Sequence, residues 1–310
     1  MTWARLRAFV AVADTGSVRA AATRLSVTES AVSAAVAALR AELGVPLVER
    51  VGRGVALTEG GLVYADYARR ILGLLEEGAM AAGQGLGAER GRLRLGAVTT
   101  AGEYLLPALL ASFRSVYPQV EITVEVGVRD RVHELISNHQ LDLVIGGRPP
   151  SGRDLVTRAS RPNDLVVVSA HTKTVDLGRS TWLLREAGSG TRETTLALLE
   201  SLELRPPLLA LGSHGAVVAS ATLGLGLALV SADAVARQLA VGELATVPVR
   251  GTPLSRPWHA VTGLVPTATT RLFVTHMTDP VAAGDLCFQP VGPTGALRRP
   301  SGSRAPVTAG

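Results

Sequence analysis

Gly16-Ser17-Val18-Arg19-Ala20-Ala21-Ala22, Leu25-Ser26-Val27-Thr28, Ala31-Val32-Ser33, Leu39, Gly44, Leu47-Val48-Glu49-Arg50 and Leu57-Thr58-Glu59-Gly60-Gly61 decide the fold of the first sixty residues. Val18, Ala21, Ala22 and Leu25 recur at i, i+3, i+4 and i+7, so they form one apolar stripe on a helix. Ala21 and Ala22 are small enough for a second helix to approach closely. Ser26-Val27 turns the chain, with Val27 expected to plug the corner. Thr28 is a favourable N-cap, Glu29 suits the positive end of the helix dipole, and Val32, Val36 and Leu39 make a second stripe.

The opposite face of the second helix carries Thr28, Glu29, Ser30, Ser33 and Arg40. Hydroxyls and a guanidinium there suit base edges and phosphates, which makes this a helix-turn-helix candidate for DNA. Two alanine-rich helices also occur as an ordinary hairpin, so the next segment matters. Pro46 to Arg50 reads as a short strand, Val51-Gly52-Arg53-Gly54 as a turn and Val55 to Leu57 as the return strand. Arg50 and Arg53 then flank the tip of a wing, within reach of phosphates. Upstream, Trp3, Leu6, Phe9, Val10 and Ala13 give an amphipathic helix that covers the back of the pair.

The chain has 310 residues, 47% hydrophobic and 18% charged, with a net charge of +5, which suits two domains with a large core. Lys173 is the only lysine, so arginine carries nearly all the positive charge. Cys287 is the only cysteine, which excludes an internal disulfide and a cysteine zinc site. The amphipathic start is no signal peptide, and a cytoplasmic location is expected. Pro206 to Ala232 lacks charge but is interrupted by Gly212, Gly215, Gly224 and Gly226. A buried strand, helix and strand explain it better than a membrane span.

After Gly61, the residues Leu62, Ala65, Ala68 or Arg69, Leu72, Leu75 and Ala79 alternate spacings of three and four. That is the seam of a two-helix coiled coil, and a second copy is the simplest partner. Gly83, Gly85 and Gly87 then loosen the chain. From Arg92 the period changes to β-α-β-α-β through about Ile145, and a second α/β lobe follows. Crossings between the lobes are expected near Ser160 to Leu165 and near Trp258 to Val265, with a final helix over about Thr267 to Met277. Two such lobes leave a ligand cleft at their strand ends. Arg185-Glu186-Ala187-Gly188-Ser189-Gly190-Thr191-Arg192 follows a strand and opens a helix. Its backbone N–H groups, the hydroxyls of Ser189 and Thr191, Gly190 and the charge of Arg192 suit an anion such as a carboxylate, sulfate or phosphate. The alternative is a turn that only caps its helix. His214 sits at another strand-to-helix junction and is kept as a ligand candidate against a purely structural role.

Taken together, Leu6, Phe9, Gly16-Ser17, Ala21-Ala22, Leu25, Ala31-Val32-Ser33, Leu39, Leu43-Gly44, Leu47, Arg50, Leu57-Thr58 and Gly61 resemble the LysR-type transcriptional regulators. Departures are Arg40 and Val48, where that family usually has Glu and Phe, and Ala34-Ala35, where long polar residues are frequent. The resemblance implies an α/β chain: a winged helix-turn-helix (1–58), a linker and dimerisation helix (59–88), and a two-lobed, periplasmic-binding-protein-like effector domain (92–280). Lobe I is placed at about 92–160 and 262–280, lobe II at about 161–261, with a disordered Gly/Pro/Ser/Arg-rich tail over 283–310. It implies a homodimer or a homotetramer built from two dimers, promoter DNA as target and RNA polymerase as partner, with no cofactor. Thr99 and Thr100 match the family's first-lobe hydroxyl position facing the cleft. The Arg-Glu-x-Gly-Ser-Gly-Thr-Arg run is similar to the branch that regulates carbon fixation and sulfur metabolism, which responds to small, often anionic metabolites. The alternative is a two-lobed solute-binding protein without a transcriptional role. An enzyme is not expected, since no Ser-His-Asp set, paired carboxylates or metal cluster stands out; His133, His139 and His171 are scattered.

Overall fold

In the computed structural model the described residues are 1–52, 54–82, 87–150, 154–170 and 175–292. Their contacts form two compact units, Met1–Leu86 with Glu134–Leu141, and Gly87–His133 with Asp142–Gly310.

The first unit opens with helices α1 (Trp3–Thr15), α2 (Val18–Leu25) and α3 (Glu29–Leu43), then strands β1 (Val48–Val51) and β2 (Gly54–Leu57) and helix α4 (Glu59–Ala82). Each helix boundary has a local cause. The Ser17 hydroxyl accepts from Ala20 N–H at α2, the Thr28 hydroxyl accepts from Ala31 N–H at α3, and Gly44 ends α3 at φ 72°. Phe9, Ala21, Val32, Leu39, Leu47, Ala65 and Ala68 fill one core at 0–1% exposure. Val27 does not plug the corner. It is 48% exposed, because the turn between α2 and α3 is closed by backbone bonds instead, Val27 N–H to Ala22 carbonyl among them. The wing pairs antiparallel, with Arg50 opposite Val55.

The face of α4 also differs from the expected seam. Ala65 and Ala68 are buried within this unit and Leu72 is half-buried, while Arg69 pairs with Asp14 of α1 at 2.8 Å. Leu62, Leu75 and Ala79 of the expected seam stay exposed, and a further exposed apolar stripe runs along Val63, Tyr67, Ile71 and Leu74. Small residues at Ala65 and Ala68 let α1 come close, and that contact claims their side of the helix. Described residues of α4 end at Ala82, so Gly83 and Gly85 lie outside them.

In the second unit a 3-10 turn (Ala88–Arg90) leads into β3 (Arg92–Val98), α5 (Thr99–Tyr104), α6 (Leu106–Val116), β4 (Glu121–Gly127), α7 (Arg129–Ser137), β5 (Leu143–Gly146) and β6 (Leu155–Arg161). There follow β7 (Asp164–Ser169), β8 (Trp182–Leu184), α8 (Gly190–Ser201), β9 (Leu208–Ala210), α9 (His214–Thr222), β10 (Leu227–Ser231) and α10 (Ala236–Ala240). The unit closes with β11 (Ala245–Thr246), β12 (Leu254–Ser255), β13 (Trp258–Gly263), α11 (Ala268–Thr278), α12 (Pro280–Ala283) and β14 (Gln289–Pro290). Two six-stranded sheets result: β14-β6-β13-β5-β3-β4 in lobe I, and β11-β7-β10-β8-β9 with β12 also on β7 in lobe II.

Helices cover both faces of the lobe II sheet, and β10 shows it. Leu227 and Leu229 enter one core with Val167 and Trp182, whereas Ala228 and Val230 enter the other with Leu183 and Val217. The Pro206–Ala232 stretch is therefore β9, α9 and β10, and among the described residues no helix is long and apolar enough to cross a membrane.

The first crossing lies between β6 and β7, at Pro162-Asn163. The second lies between β12 and β13, at Arg256-Pro257, ahead of the expected Trp258 to Val265, and β13 pairs with β5 and β6 in lobe I. Trp258 and Ala260 belong to the lobe I core, which pulls the boundary forward. Nor is the chain disordered from residue 283: a 3-10 turn spans Gly284–Leu286, Phe288 is fully buried in lobe I and β14 pairs with β6. That one aromatic anchors a segment whose composition otherwise reads as solvated. The remaining tail, 293–310, lies outside the described residues.

Gly61 marks the tightest junction of the first unit. A Cβ there would stand 1.8 Å from the Leu47 carbonyl oxygen. Gly61→Ala is expected to destabilise this unit by roughly 1–3 kcal/mol through overpacking against fixed backbone, measured as a lower midpoint for its thermal transition.

Candidate nucleic-acid face and ligand cleft

Thr28, Glu29, Ser30, Ser33, Arg40 and Arg50 are all exposed, the first five on or capping α3 and the last on β1. Arg53 lies outside the described residues. Thr28 is partly committed to the helix it caps and lies 2.9 Å from the Ser30 hydroxyl. The sequence reading missed α2: Arg19, Thr23 and Arg24 line a shallow groove with Ser17 and Ala20. Arg24 also pairs with Asp14 at 3.1 Å, whereas Arg19 is exposed. Basic residues recurring along a predicted α2 were the available signal.

The second unit holds a cleft between its lobes with a cavity of about 70 Å³, room for several water-sized groups. Thr99 and Thr100, which begin α5 after β3, line one side. Ser189, Gly190 and Thr191, at the start of α8, line the other. The Ser189 side chain makes no capping bond, so the first-turn N–H groups of α8 keep no side-chain partner there. Arg129, Arg185 and Arg256 also line the cleft, and among the described residues no Asp, Glu, His or Lys does. Such a cavity suits an anion.

Arg192 is not in the lining. Its guanidinium donates to the Arg185 carbonyl at 2.9 Å and so braces the loop that carries Ser189. His214 is absent from it too: it is 1% exposed, packs edge-on against Tyr104 at 5.2 Å between centroids, and its Nε2 has no hydrogen-bond partner. Burial, helped by the Arg185 charge and opposed by Glu186, pushes its pKa down to about 4, so the ring is neutral. Arg185 itself is 5% exposed, forks onto Glu186 and reaches the Thr100 hydroxyl at 3.4 Å. Burial pushes the Glu186 carboxyl up, but hydrogen bonds from Arg185 and the backbone, together with nearby positive charge, leave it below the usual carboxylate range. Asn163, Ser231 and Arg256, at or beside the crossings, escaped the sequence reading, although the polar residues of an expected crossing were the signal to follow.

Comparison with known proteins gives a consistent result. The model described as "Bacterial regulatory helix-turn-helix protein, lysR family" matches residues 3–62, and the "LysR substrate binding domain" matches 86–279. The HTH-type transcriptional activator CmpR of Synechocystis is 33% identical over 263 residues, 82% of this chain and 86% of that protein. CbbR of Rhodospirillum rubrum, a transcriptional regulator, is 34% identical over 265 residues, 83% of this chain and 88% of that protein. Among solved structures, the CcmR regulatory domain of Synechocystis PCC6803 in complex with 2-PG is 28% identical with a TM-score of 0.55, covering 59% of this chain and 94% of that one.

Neutral His214 links stability to pH. Its folded pKa of about 4 lies below the ordinary 6.5, so as pH falls below 6.5 the unfolded chain takes up a proton that the folded chain refuses. Stability is therefore lost between pH 6.5 and about 4, by on the order of 3 kcal/mol at most. Denaturant titrations across that range are expected to show a shallower pH slope for His214→Phe than for the wild type.

Proposed function

We propose, for a chain that belongs to the LysR family of bacterial transcriptional regulators, that a small anionic metabolite in the inter-lobe cleft sets how it acts at its promoter. It is a DNA-binding regulator with an effector-binding domain. The single observation that carries the anionic reading is a cavity lined by Arg129, Arg185 and Arg256 beside the uncapped start of α8, with no carboxylate among the described residues that line it. The 2-PG bound to the CcmR domain is 2-phosphoglycolate, a small anion. Thr99, Thr100, Ser189, Gly190 and Thr191 supply the neutral hydrogen bonds, with Arg192 bracing the loop. Thr28, Glu29, Ser30, Ser33, Arg40, Arg50 and the wing residue Arg53 form the DNA face; phosphate contacts set affinity and α3 reads base edges.

Oligomerisation belongs to the same reading. Val63, Tyr67, Ile71 and Leu74 leave an apolar stripe along α4, which a second copy covers to pair two DNA-reading heads. Effector binding then changes the output only through its differential affinity for two arrangements of the assembly, read by RNA polymerase at the promoter. The relatives are regulators, and among the described residues that line the cleft no carboxylate or imidazole stands beside the hydroxyls, which favours sensing over catalysis.

Fluorescence anisotropy with the gene's own upstream DNA, at about 0.1 M salt to limit non-specific binding, is expected to show preference over bulk competitor and a response to 2-phosphoglycolate. Equal affinity for both DNAs would overturn the regulator's DNA face. Thr100→Val and Ser189→Ala are expected to weaken 2-phosphoglycolate binding about five- to tenfold each, on the order of 1 kcal/mol, read by calorimetry. Light scattering of Tyr67→Glu/Leu74→Glu is expected to report monomers that have lost promoter preference.

A further inference from the structure

The three cleft arginines are not equivalent. Arg185 is forked onto Glu186, and Arg129 pairs with Glu193 at 3.5 Å. Arg256 has no carboxylate partner among the described residues; its guanidinium donates instead to the Thr194 hydroxyl at 2.6 Å, and Thr194 donates to the Gly190 carbonyl at 2.8 Å. Two glycines stand beside it. A Cβ at Gly190 would stand 3.5 Å from Arg256 Nη2, and one at Gly147 4.0 Å from it, so the guanidinium lies between the end of β5 in lobe I and the start of α8 in lobe II.

Its backbone lies at the second crossing and is bound to the first. Arg256 N–H donates to the Asn163 carbonyl at 2.7 Å, and the Asn163 side-chain amide donates to the Arg256 carbonyl at 2.9 Å. Asn163 is 4% exposed and its Oδ1 accepts from the Ser231 hydroxyl at 2.6 Å. Arg256 therefore brings a charge with no carboxylate partner among the described residues to the cleft lining, while its main chain ties together the two crossings between the lobes.

Building on the anionic-effector reading above, we propose that Arg256 is the charge-selecting residue of the cleft and the one that couples ligand charge to the hinge. The Arg185–Glu186 fork is made inside the protein and must be loosened before Arg185 can serve a ligand, a cost that cancels much of the gain, while Arg129 is shared with the exposed Glu193. Arg256 exchanges only a neutral hydroxyl partner, so a dianion gains most there, next to the positive end of α8. The second phosphate ionisation, near pH 6, supplies the contrast, since the monoanion and dianion of one ligand have the same shape.

The test is calorimetry of 2-phosphoglycolate binding to the full chain between about pH 5 and 7.5, with hydrogen exchange at the two crossings, for the wild type, Arg256→Lys and Arg256→Gln. Wild-type affinity is expected to rise across that interval. Arg256→Gln is expected to bind at least tenfold more weakly at the upper pH, with a flattened rise and no ligand-induced protection at Asn163 and Trp258 even near saturation. Arg256→Lys is expected to recover the pH rise in part. Thr194→Val, which frees the guanidinium without removing it, is expected to keep the pH rise, which separates charge selection from simple damage to the fold. Unchanged affinity, pH profile and protection in Arg256→Gln would overturn the assignment of Arg256 alone. A wild type indifferent to 2-phosphoglycolate and to related phosphorylated acids would instead remove the anionic-effector reading beneath it.

Discussion

Helix α8 starts without a side-chain cap, and three guanidiniums line the cavity beside it with no carboxylate among the described lining residues. Like charges near a helix N-terminus repel one another and the dipole, so an anion is favoured there. Arg185 is paired with Glu186 and Arg129 with Glu193, and Arg256 is exposed. The remainder of the second unit holds this convergence in place. Two sheets with separate cores supply rigid walls, and the loop after β8 is braced by Arg192 on the Arg185 carbonyl.

The two crossings give that electrostatic feature mechanical meaning. Asn163, itself buried, and Arg256 exchange main-chain and amide hydrogen bonds in a part-buried setting, where a lost bond costs more than it would in water. A ligand that touches both lobes favours one lobe arrangement only by the difference in its contacts between arrangements. The Arg161–Asp233 pair and the Tyr104–His214 ring contact also join the lobes, so the ligand acts against a background of fixed attachments. Their presence limits how far the lobes part without it.

Much of the first unit was legible because its signals are local. Caps at Ser17 and Thr28, the stripes through Ala21-Ala22 and Val32-Leu39, and the Arg50 hairpin all depend on neighbours within a few residues. What escaped depends on competition between surfaces. Ala65 and Ala68 look like coiled-coil seam positions, yet their smallness is used against α1, and a further free stripe runs through Tyr67 and Leu74. Val27 looks like a corner plug and is left exposed because backbone bonds close the turn. In the second unit Phe288 overrides the polar composition around it, since one buried aromatic offsets the ordering of several residues.

The ligand cleft divides along the same line. Helix-start chemistry is written in consecutive residues, so Ser189-Gly190-Thr191 and, through the family pattern, Thr99-Thr100 could be named before any coordinates. By itself the sequence determined the winged helix-turn-helix, the alternation of strand and helix beyond Arg92, and a glycine-rich loop at the start of α8, because each arises from periodicity or capping within a short window. Only the tertiary structure decided that His214 is sealed away, that Arg192 serves the backbone, and that Arg129 and Arg256 line the same cavity. The sealing of His214 by Tyr104 and the meeting of Arg129 with Arg256 join residues more than a hundred positions apart, and the Arg192 bond to the Arg185 carbonyl depends on the folded course of its loop, so no local pattern encodes them.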